Sequence, residues 1–312
     1  MSKLAFVFPG QGSQYVGMGR QLVENFREAA AVYEEAAAVL GQGFIDIILN
    51  GPEDELRQTS VTQPALLTTS VAALRVLEAH GFRPDMVAGH SLGEYSAHVA
   101  AGTFKFEAAL RVVRERGRLM QEAVPSGGAM AAILGLEREL IEEACRKAAE
   151  QGVVEVANYN CPGQVVISGQ APAVEAAMAY CKETGAKRTL PLAVSGPFHS
   201  SLMRPAGEGL GKVLAGVEYQ APALPLAANI NGDYVQTRED VSASLIQQVS
   251  SSVRWEECVQ RLHAAGAEVF VEVGPGKVLS GLVKKIIPGV GLANVEDISS
   301  LEKSLAYLKE SR

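Results

Sequence analysis

Short, unbroken apolar runs alternate along this chain with longer segments in which apolar residues recur at helical spacing. Leu4 to Phe8 is the first run, and it stops at Pro9-Gly10-Gln11-Gly12-Ser13-Gln14. An unbroken run marks a strand covered on both faces, as in a buried parallel sheet. Helical patterning follows from about Gly19 to Leu40, rich in Ala and Glu. Pro64 to about His80 is largely apolar and reads as a buried helix. A strand and a tight turn occupy 86–93, a helix continues to about Ala101, and another spans Phe106 to Ala123. Strands alternating with helices predict an α/β fold on a parallel sheet.

From Pro125 the texture changes. Ala129 to Leu134, Val153 to Ala157, Gln164 to Ser168 and Lys187 to Leu192 read as strands. Glu137 to Glu150 and Ala171 to Thr184 read as the helices among them. The order β-α-β-β-α-β is the ferredoxin-like arrangement and can close as its own small sheet. Strand–helix alternation then resumes. Strands are expected at Leu224 to Ala228, Glu268 to Val273 and Gly291 to Val295, and helices at Val253 to Ala265, Lys277 to Ile287 and the C-terminus. The expected organisation is a large domain, 1–125 and 195–312, interrupted by a small subdomain, 126–194.

Composition narrows the function classes. The chain has 312 residues, 47% hydrophobic and 20% charged, which is ordinary for a soluble globular protein. A net charge of −7 argues against a broad nucleic-acid surface. No apolar run approaches the ~18 residues of a membrane span, so no membrane association is expected. The first apolar run breaks at Pro9-Gly10, too early for a secretory leader, so a cytoplasmic location is expected. Cys145, Cys161, Cys181 and Cys258 include no Cys-x-x-Cys pair; no metal site is expected, and all four read as small buried hydrophobes.

The chemistry centres on Met86-Val87-Ala88-Gly89-His90-Ser91-Leu92-Gly93-Glu94. An apolar strand that ends in Gly-x-Ser-x-Gly before a helix has the form of a nucleophile elbow. The glycines permit the sharp turn, and the serine hydroxyl is left beside backbone N–H groups that can hold an oxyanion. A serine needs a base. Of five histidines, His90 adjoins Ser91 on a turn where neighbours point apart, while His80, His98 and His263 lie in helical segments. His199, in Gly196-Pro197-Phe198-His199-Ser200, stands where the chain re-enters the large domain and is expected to open a helix. It is the candidate base. No evident acid lies between Ser91 and His199, since the intervening carboxylates fall mostly on subdomain helices; a backbone carbonyl can orient the imidazole instead. Arg116 precedes Gly117, a glycine inside a helical pattern that needs a packing or ligand reason. An arginine there can bind a carboxylate in bidentate fashion. Arg111, Arg114 and Arg118 read as a solvated helix face. Gly10-Gln11-Gly12 and Gly274-Pro275-Gly276-Lys277 lack phosphate-loop signatures and read as loops at the carboxyl ends of parallel strands.

These segments together resemble one family, the malonyl-coenzyme A:acyl-carrier-protein transacylases of fatty-acid synthesis. The resemblance runs from Phe8-Pro9-Gly10-Gln11-Gly12-Ser13-Gln14 through Gln63-Pro64-Ala65 and Gly89-His90-Ser91-Leu92-Gly93-Glu94-Tyr95-Ser96. It continues through Arg116-Gly117, Gly128-Ala129-Met130-Ala131-Ala132, Asn160-x-Pro162-Gly163-Gln164-Val165-Val166-Ile167, Phe198-His199 and Val271-Glu272-Val273-Gly274-Pro275-Gly276. It implies a hydrolase-like core with a ferredoxin-like insert. It implies Ser91 as the acylated nucleophile and His199 as general acid–base. Gln11 and Leu92 would supply the oxyanion-hole N–H groups, Arg116 would pair with the malonate carboxylate, and the Gln248 main-chain carbonyl would orient His199. Val249-Ser250-Ser251-Ser252 departs from the commoner pattern after Gln248. The implied reaction is a ping-pong transfer from malonyl-coenzyme A to the phosphopantetheine thiol of an acyl carrier protein, with no permanently bound cofactor. A monomer is expected. Phe198, where many members carry a small residue, predicts preference for malonyl over methylmalonyl. Lys187, Arg188, Arg204 and Lys277 are candidates for docking the acidic carrier. A polyketide-pathway acyltransferase, a serine thioesterase and a non-catalytic scaffold are the competing readings.

Overall fold

Nine strands appear in the computed structural model, which describes residues 2–194 and 196–311: β1 (Lys3–Phe8), β2 (Met86–Gly89), β3 (Gly128–Leu134), β4 (Val154–Cys161), β5 (Gln164–Gln170), β6 (Arg188–Pro191), β7 (Leu226–Ala227), β8 (Ala267–Val273) and β9 (Gly291–Val295). Ser195, where the second large-domain segment is expected to start, lies outside the described residues. The strands form two sheets. The first is parallel throughout, in the order β7-β2-β1-β8-β9. β1 is central, and its side chains divide between two apolar layers. Leu4, Phe6 and Phe8 pack with the helix Thr59–Ala79, while Ala5 and Val7 face the opposite layer with Trp255 and Cys258. Both faces of the strand are covered, which is why its sequence is unbroken apolar rather than alternating.

The second sheet is antiparallel, in the order β4-β5-β3-β6, with helices Arg138–Ala148 and Ala171–Glu183 against it. That strand order, with one helix after the first strand and one after the third, is ferredoxin-like. The molecule is thus an α/β protein with a hydrolase-like parallel core and a ferredoxin-like insert.

Several boundaries differ from expectation for identifiable reasons. The segment Gly19 to Leu40 is two helices, Arg20–Asn25 and Arg27–Leu40, separated by an extended Phe26 at φ −131° and ψ 120°. The buried helix starts at Thr59 and runs straight through Pro64. His199 does not open a helix: it sits at φ 60°, ahead of a 3-10 turn at Ser201–Met203 and a helix that begins at Arg204. That helix, Arg204–Ala215, is hidden in the sequence by Gly207, Gly209 and Gly211, which weaken any helical signal. Its glycines are packing devices: a methyl on Gly207 would lie 3.0 Å from the Ile246 carbonyl oxygen, and one on Gly209 would lie 2.7 Å from the Leu119 side chain. The polar helix Arg238–Gln248 has too little apolar periodicity to be read in advance. All four cysteines are reduced and buried.

The carboxyl ends of β1 and β2 are paired, Phe8 with Gly89, so the loop after β1 lies beside the turn after β2. The approach is close. A methyl on Gly93 would fall 2.0 Å from the Phe8 carbonyl oxygen, and one on Gly89 would fall 1.9 Å from the Gly93 carbonyl carbon. Gly93→Ala is therefore expected to destabilise the fold by more than about 3 kcal/mol, because only backbone lies in its way. Gly281→Ala, on an exposed helical position where a methyl meets nothing within 4 Å, is expected to stabilise by about 0.5–1 kcal/mol. Urea midpoints of the two variants test both signs.

Candidate active site

The turn after β2 is built as a strained elbow. Ser91 has φ 51°, a left-handed conformation that costs a non-glycine residue about 1–3 kcal/mol and persists only where its surroundings fix it. Asn229, just beyond β7, does the fixing. Its side-chain Oδ1 accepts the Ser91 N–H at 2.7 Å, and its Nδ2 donates to the Gly89 carbonyl at 2.8 Å, so one amide holds both ends of the turn. The helix Gly93–Ala100 begins directly after Leu92, which points the positive end of its dipole at the serine.

The Ser91 hydroxyl lies 2.7 Å from His199 Nε2, and His199 Nδ1 lies 2.9 Å from the Gln248 main-chain oxygen. A carbonyl can only accept, so Nδ1 carries the proton and Nε2 presents its lone pair to the serine. Burial, reinforced by the Arg116 charge, pushes the His199 imidazole down to about 3. It is a neutral base awaiting a proton. The other imidazoles are occupied elsewhere. His90 Nε2 is 2.9 Å from Asn160 Oδ1 on β4, and His98 Nδ1 is 3.2 Å from the Thr103 hydroxyl. His80 and His263 each bond through Nδ1 to a main-chain oxygen.

Arg116 reaches the same point from the helix Phe106–Ala123. Gly117 lets that helix approach its neighbour: a methyl there would sit 2.7 Å from the Thr59 carbonyl oxygen. The close approach brings Arg116 to Gln63, whose Oε1 accepts from Nη1 at 2.7 Å. Nη2 donates to Gln248 Oε1 at 2.9 Å and to the Ser91 hydroxyl at 3.3 Å. The guanidinium is 1% exposed, its Nε has no partner, and no carboxylate among the described residues pairs with it directly. Burial lowers its affinity for a proton. By contrast, Arg111 and Arg118 form exposed ion pairs with Glu107, Glu115 and Glu122, as a solvated face should.

A carboxylate does stand behind the elbow, three residues after Ser91 and within the Ser91-to-His199 interval, but it bonds Asn229 and Gln248 rather than the His199 ring. Glu94 is fully buried, and its Oε2 accepts from the Asn229 N–H and from Gln248 Nε2, both at 2.9 Å. Burial pushes its carboxyl up to about 7. Gln63, Glu94 and Asn229 are the site residues that sequence reasoning missed. Glu94 had a signal, a charge in the first turn of a helix with little polar surface. Asn229 had none beyond a polar residue after a short apolar run.

A cleft of about 110 Å³ opens over the serine, on the order of four waters' share of liquid volume, so it suits a short acyl group. Gln11 and Leu92 border it with Ser91, and Met120, Met130, Leu192, Val194 and Phe198 give it an apolar wall. Lys187, Arg188, Arg204 and Lys277 are exposed. Among the described residues, no group of three or more His, Cys, Asp and Glu could hold a metal ion, and no helix is long and apolar enough to cross a membrane.

The acyl transferase domain family matches residues 5–301. The malonyl CoA-acyl carrier protein transacylase of Bacillus subtilis (strain 168) is 48% identical over 312 residues, covering 99% of this chain and 98% of that relative. The crystal structure of an acyl carrier protein S-malonyltransferase from Vibrio cholerae superposes with a TM-score of 0.94 at 48% identity, over 97% of this chain and all of that one. A malonyl-transacylase solved in complex with its type II PKS acyl-carrier protein gives 0.95 at 46% identity, over 98% of this chain and 100% of that one.

His199 and His98 are both pushed down to about 3, and the sign of the consequence follows. An unfolded imidazole takes up its proton near 6.5, whereas these two remain neutral in the fold. Their contribution to stability is therefore complete above 6.5 and is lost as pH falls toward 3. Nitrogen NMR of the labelled rings at pH 5 is expected to show both neutral. A charged His199 ring at that pH would contradict the buried-base geometry.

Proposed function

The chain belongs to the malonyl CoA-acyl carrier protein transacylases of the acyl transferase family, and on that footing we propose that it carries malonyl groups from malonyl-coenzyme A to the phosphopantetheine thiol of an acyl carrier protein through an ester on Ser91. One observation carries the choice of acyl group: a buried guanidinium with no direct carboxylate partner, 3.3 Å from the hydroxyl that would become the ester. A short acyl chain that ends in its own carboxylate supplies the missing charge. An acetyl group leaves it unpaired, and a buried unpaired charge costs about 3–5 kcal/mol.

In the first half-reaction Ser91 Oγ attacks the thioester carbonyl as its proton passes to His199 Nε2. The Gln248 carbonyl holds the imidazolium through Nδ1. The N–H groups of Gln11 and Leu92 receive the oxyanion; the Ser91 N–H is unsuited, since Asn229 already takes it. Collapse breaks the C–S bond, and His199 returns its proton to the departing sulfur. In the second half, the carrier's thiol gives its proton to His199, its sulfur attacks the ester, and Ser91 Oγ leaves with that proton. The apolar wall disfavours water as the acceptor, which separates this reading from a thioesterase. Residues 126–194 act as a subdomain that supplies part of that wall, and the enzyme works as a cytoplasmic monomer without a resident cofactor. The same residues would serve a polyketide pathway, and a panel of carrier proteins distinguishes the two.

Mass spectrometry after mixing with malonyl-coenzyme A should find a malonyl adduct on Ser91, absent from Ser91→Ala; no adduct at any time would sink the reading. Arg116→Met is expected to lower kcat/KM for malonyl-coenzyme A by two to three orders of magnitude, the equivalent of about 3–4 kcal/mol. Phe198 borders the cleft, so methylmalonyl-coenzyme A should be turned over at least about tenfold less efficiently than malonyl-coenzyme A, with Phe198→Ala narrowing the gap. Equal turnover by the unmodified enzyme would refute the role of the ring.

A further inference from the structure

Gln248 serves the site twice, and its two uses are separable. Its main-chain oxygen orients His199, while its side-chain amide lies between Arg116 and Glu94. An amide has two nearly equal-sized ends, so something must decide which end faces the guanidinium. Here Oε1 accepts from Arg116 Nη2 at 2.9 Å. The other end, Nε2, faces acceptors only: Glu94 Oε2 at 2.9 Å, the Ser91 carbonyl at 3.1 Å and Asn229 Oδ1 at 3.4 Å. Turning the amide over would set its NH2 against the guanidinium and its oxygen against three oxygens. Glu94 is the nearest of the three and the only one that can carry charge, which makes its bond the strongest.

We propose that Glu94 is a positioning residue for acyl-group selection: by accepting from Gln248 Nε2, it fixes the amide so that Oε1 aims Arg116 at the acyl carboxylate. The arrangement has a further property. A carboxylate bonded directly to Arg116 would occupy the donors the substrate needs. Set one amide away, Glu94 steadies the guanidinium and leaves it open. Glu94 is fully buried in the first turn of the helix Gly93–Ala100, and its second bond, from the Asn229 N–H, ties it to the residue that holds the elbow. The remaining oxygen, Oε1, has no partner, so the carboxyl's whole bonding capacity within the fold is spent on these two donors.

The inference rests on the malonyl-transfer reading, and its test separates the two. The quantity to measure is the ratio of kcat/KM for malonyl-coenzyme A to that for acetyl-coenzyme A. Glu94→Met removes the acceptor at similar length. It should lower the ratio at least tenfold, mainly through a raised KM for malonyl-coenzyme A. Glu94→Gln keeps one acceptor oxygen for both donors and should restore the ratio to within threefold. A folded Glu94→Met that loses both activities equally, or that keeps the parent's ratio, overturns the proposal. If Glu94→Met does not fold, Gln248→Met replaces it and is read by the ratio alone, since Gln248 also serves the reaction through its main-chain oxygen. The ratio should fall at least tenfold, and an unchanged ratio there overturns the proposal as well. A parent enzyme that fails to discriminate between the two thioesters would instead refute the malonyl reading itself.

Discussion

A guanidinium held out of water beside a nucleophile is the constraint on which this site depends. Arg116 could have been neutralised by a neighbouring carboxylate, as buried arginines usually are. Its partners are instead two neutral amide oxygens, a hydroxyl and the face of the Tyr95 ring, none of them a formal negative charge. The guanidinium is held in place by Gln63 of the helix Thr59–Ala79 and Gln248 of the helix Arg238–Gln248. Burial depresses the neighbouring imidazole and the same charge adds to the effect, so Arg116 contributes both to substrate selection and to base neutrality.

The second theme is strain that is over-determined. Ser91 and His199 both sit in the left-handed region, and they are the only non-glycine residues among the described ones to do so. Each is pinned on more than one side: Ser91 by Asn229 and by close glycine contacts, His199 by Gln248 and by the serine itself. The two sheets also meet at this point. β4 of the antiparallel sheet supplies Asn160 to the His90 ring, and Asn158 bridges to Val253, just before the helix Trp255–Ala264. The nucleophile is thus held by parts of the chain far apart in sequence, which gives the geometry its precision.

How much of this was legible in the sequence depends on whether a residue acts through its own chemistry or through its surroundings. Ser91 was legible because its flanking glycines announce a turn that only a close backbone approach requires. Arg116 was legible because Gly117 interrupts a helical pattern. His199 stands out among the five histidines by its place after Gly196-Pro197, but it occupies a strained turn at φ 60° and not the helix start that its sequence suggests. Gln248 acts through a main-chain atom, which any residue possesses, so no side-chain pattern pointed to it and only the family resemblance did. Glu94, Asn229 and Gln63 are common polar residues whose meaning arises from tertiary placement. The helix Arg204–Ala215 was missed for a related reason, since its glycines signal helix breaking locally and close helix packing globally.

The four buried cysteines have a meaning peculiar to this chemistry. A protein that passes acyl groups between thiols is itself a potential acceptor, because any exposed thiolate could be acylated by the donor or form a mixed disulfide with the released coenzyme. Burial raises all four thiols, with Cys145 pushed up to about 12 and Cys181 to about 11, so the reactive ionised form is scarce. The chain's own sulfur is kept silent in a sulfur-exchange reaction. No thiol of the chain competes with the Ser91 oxygen for the acyl group.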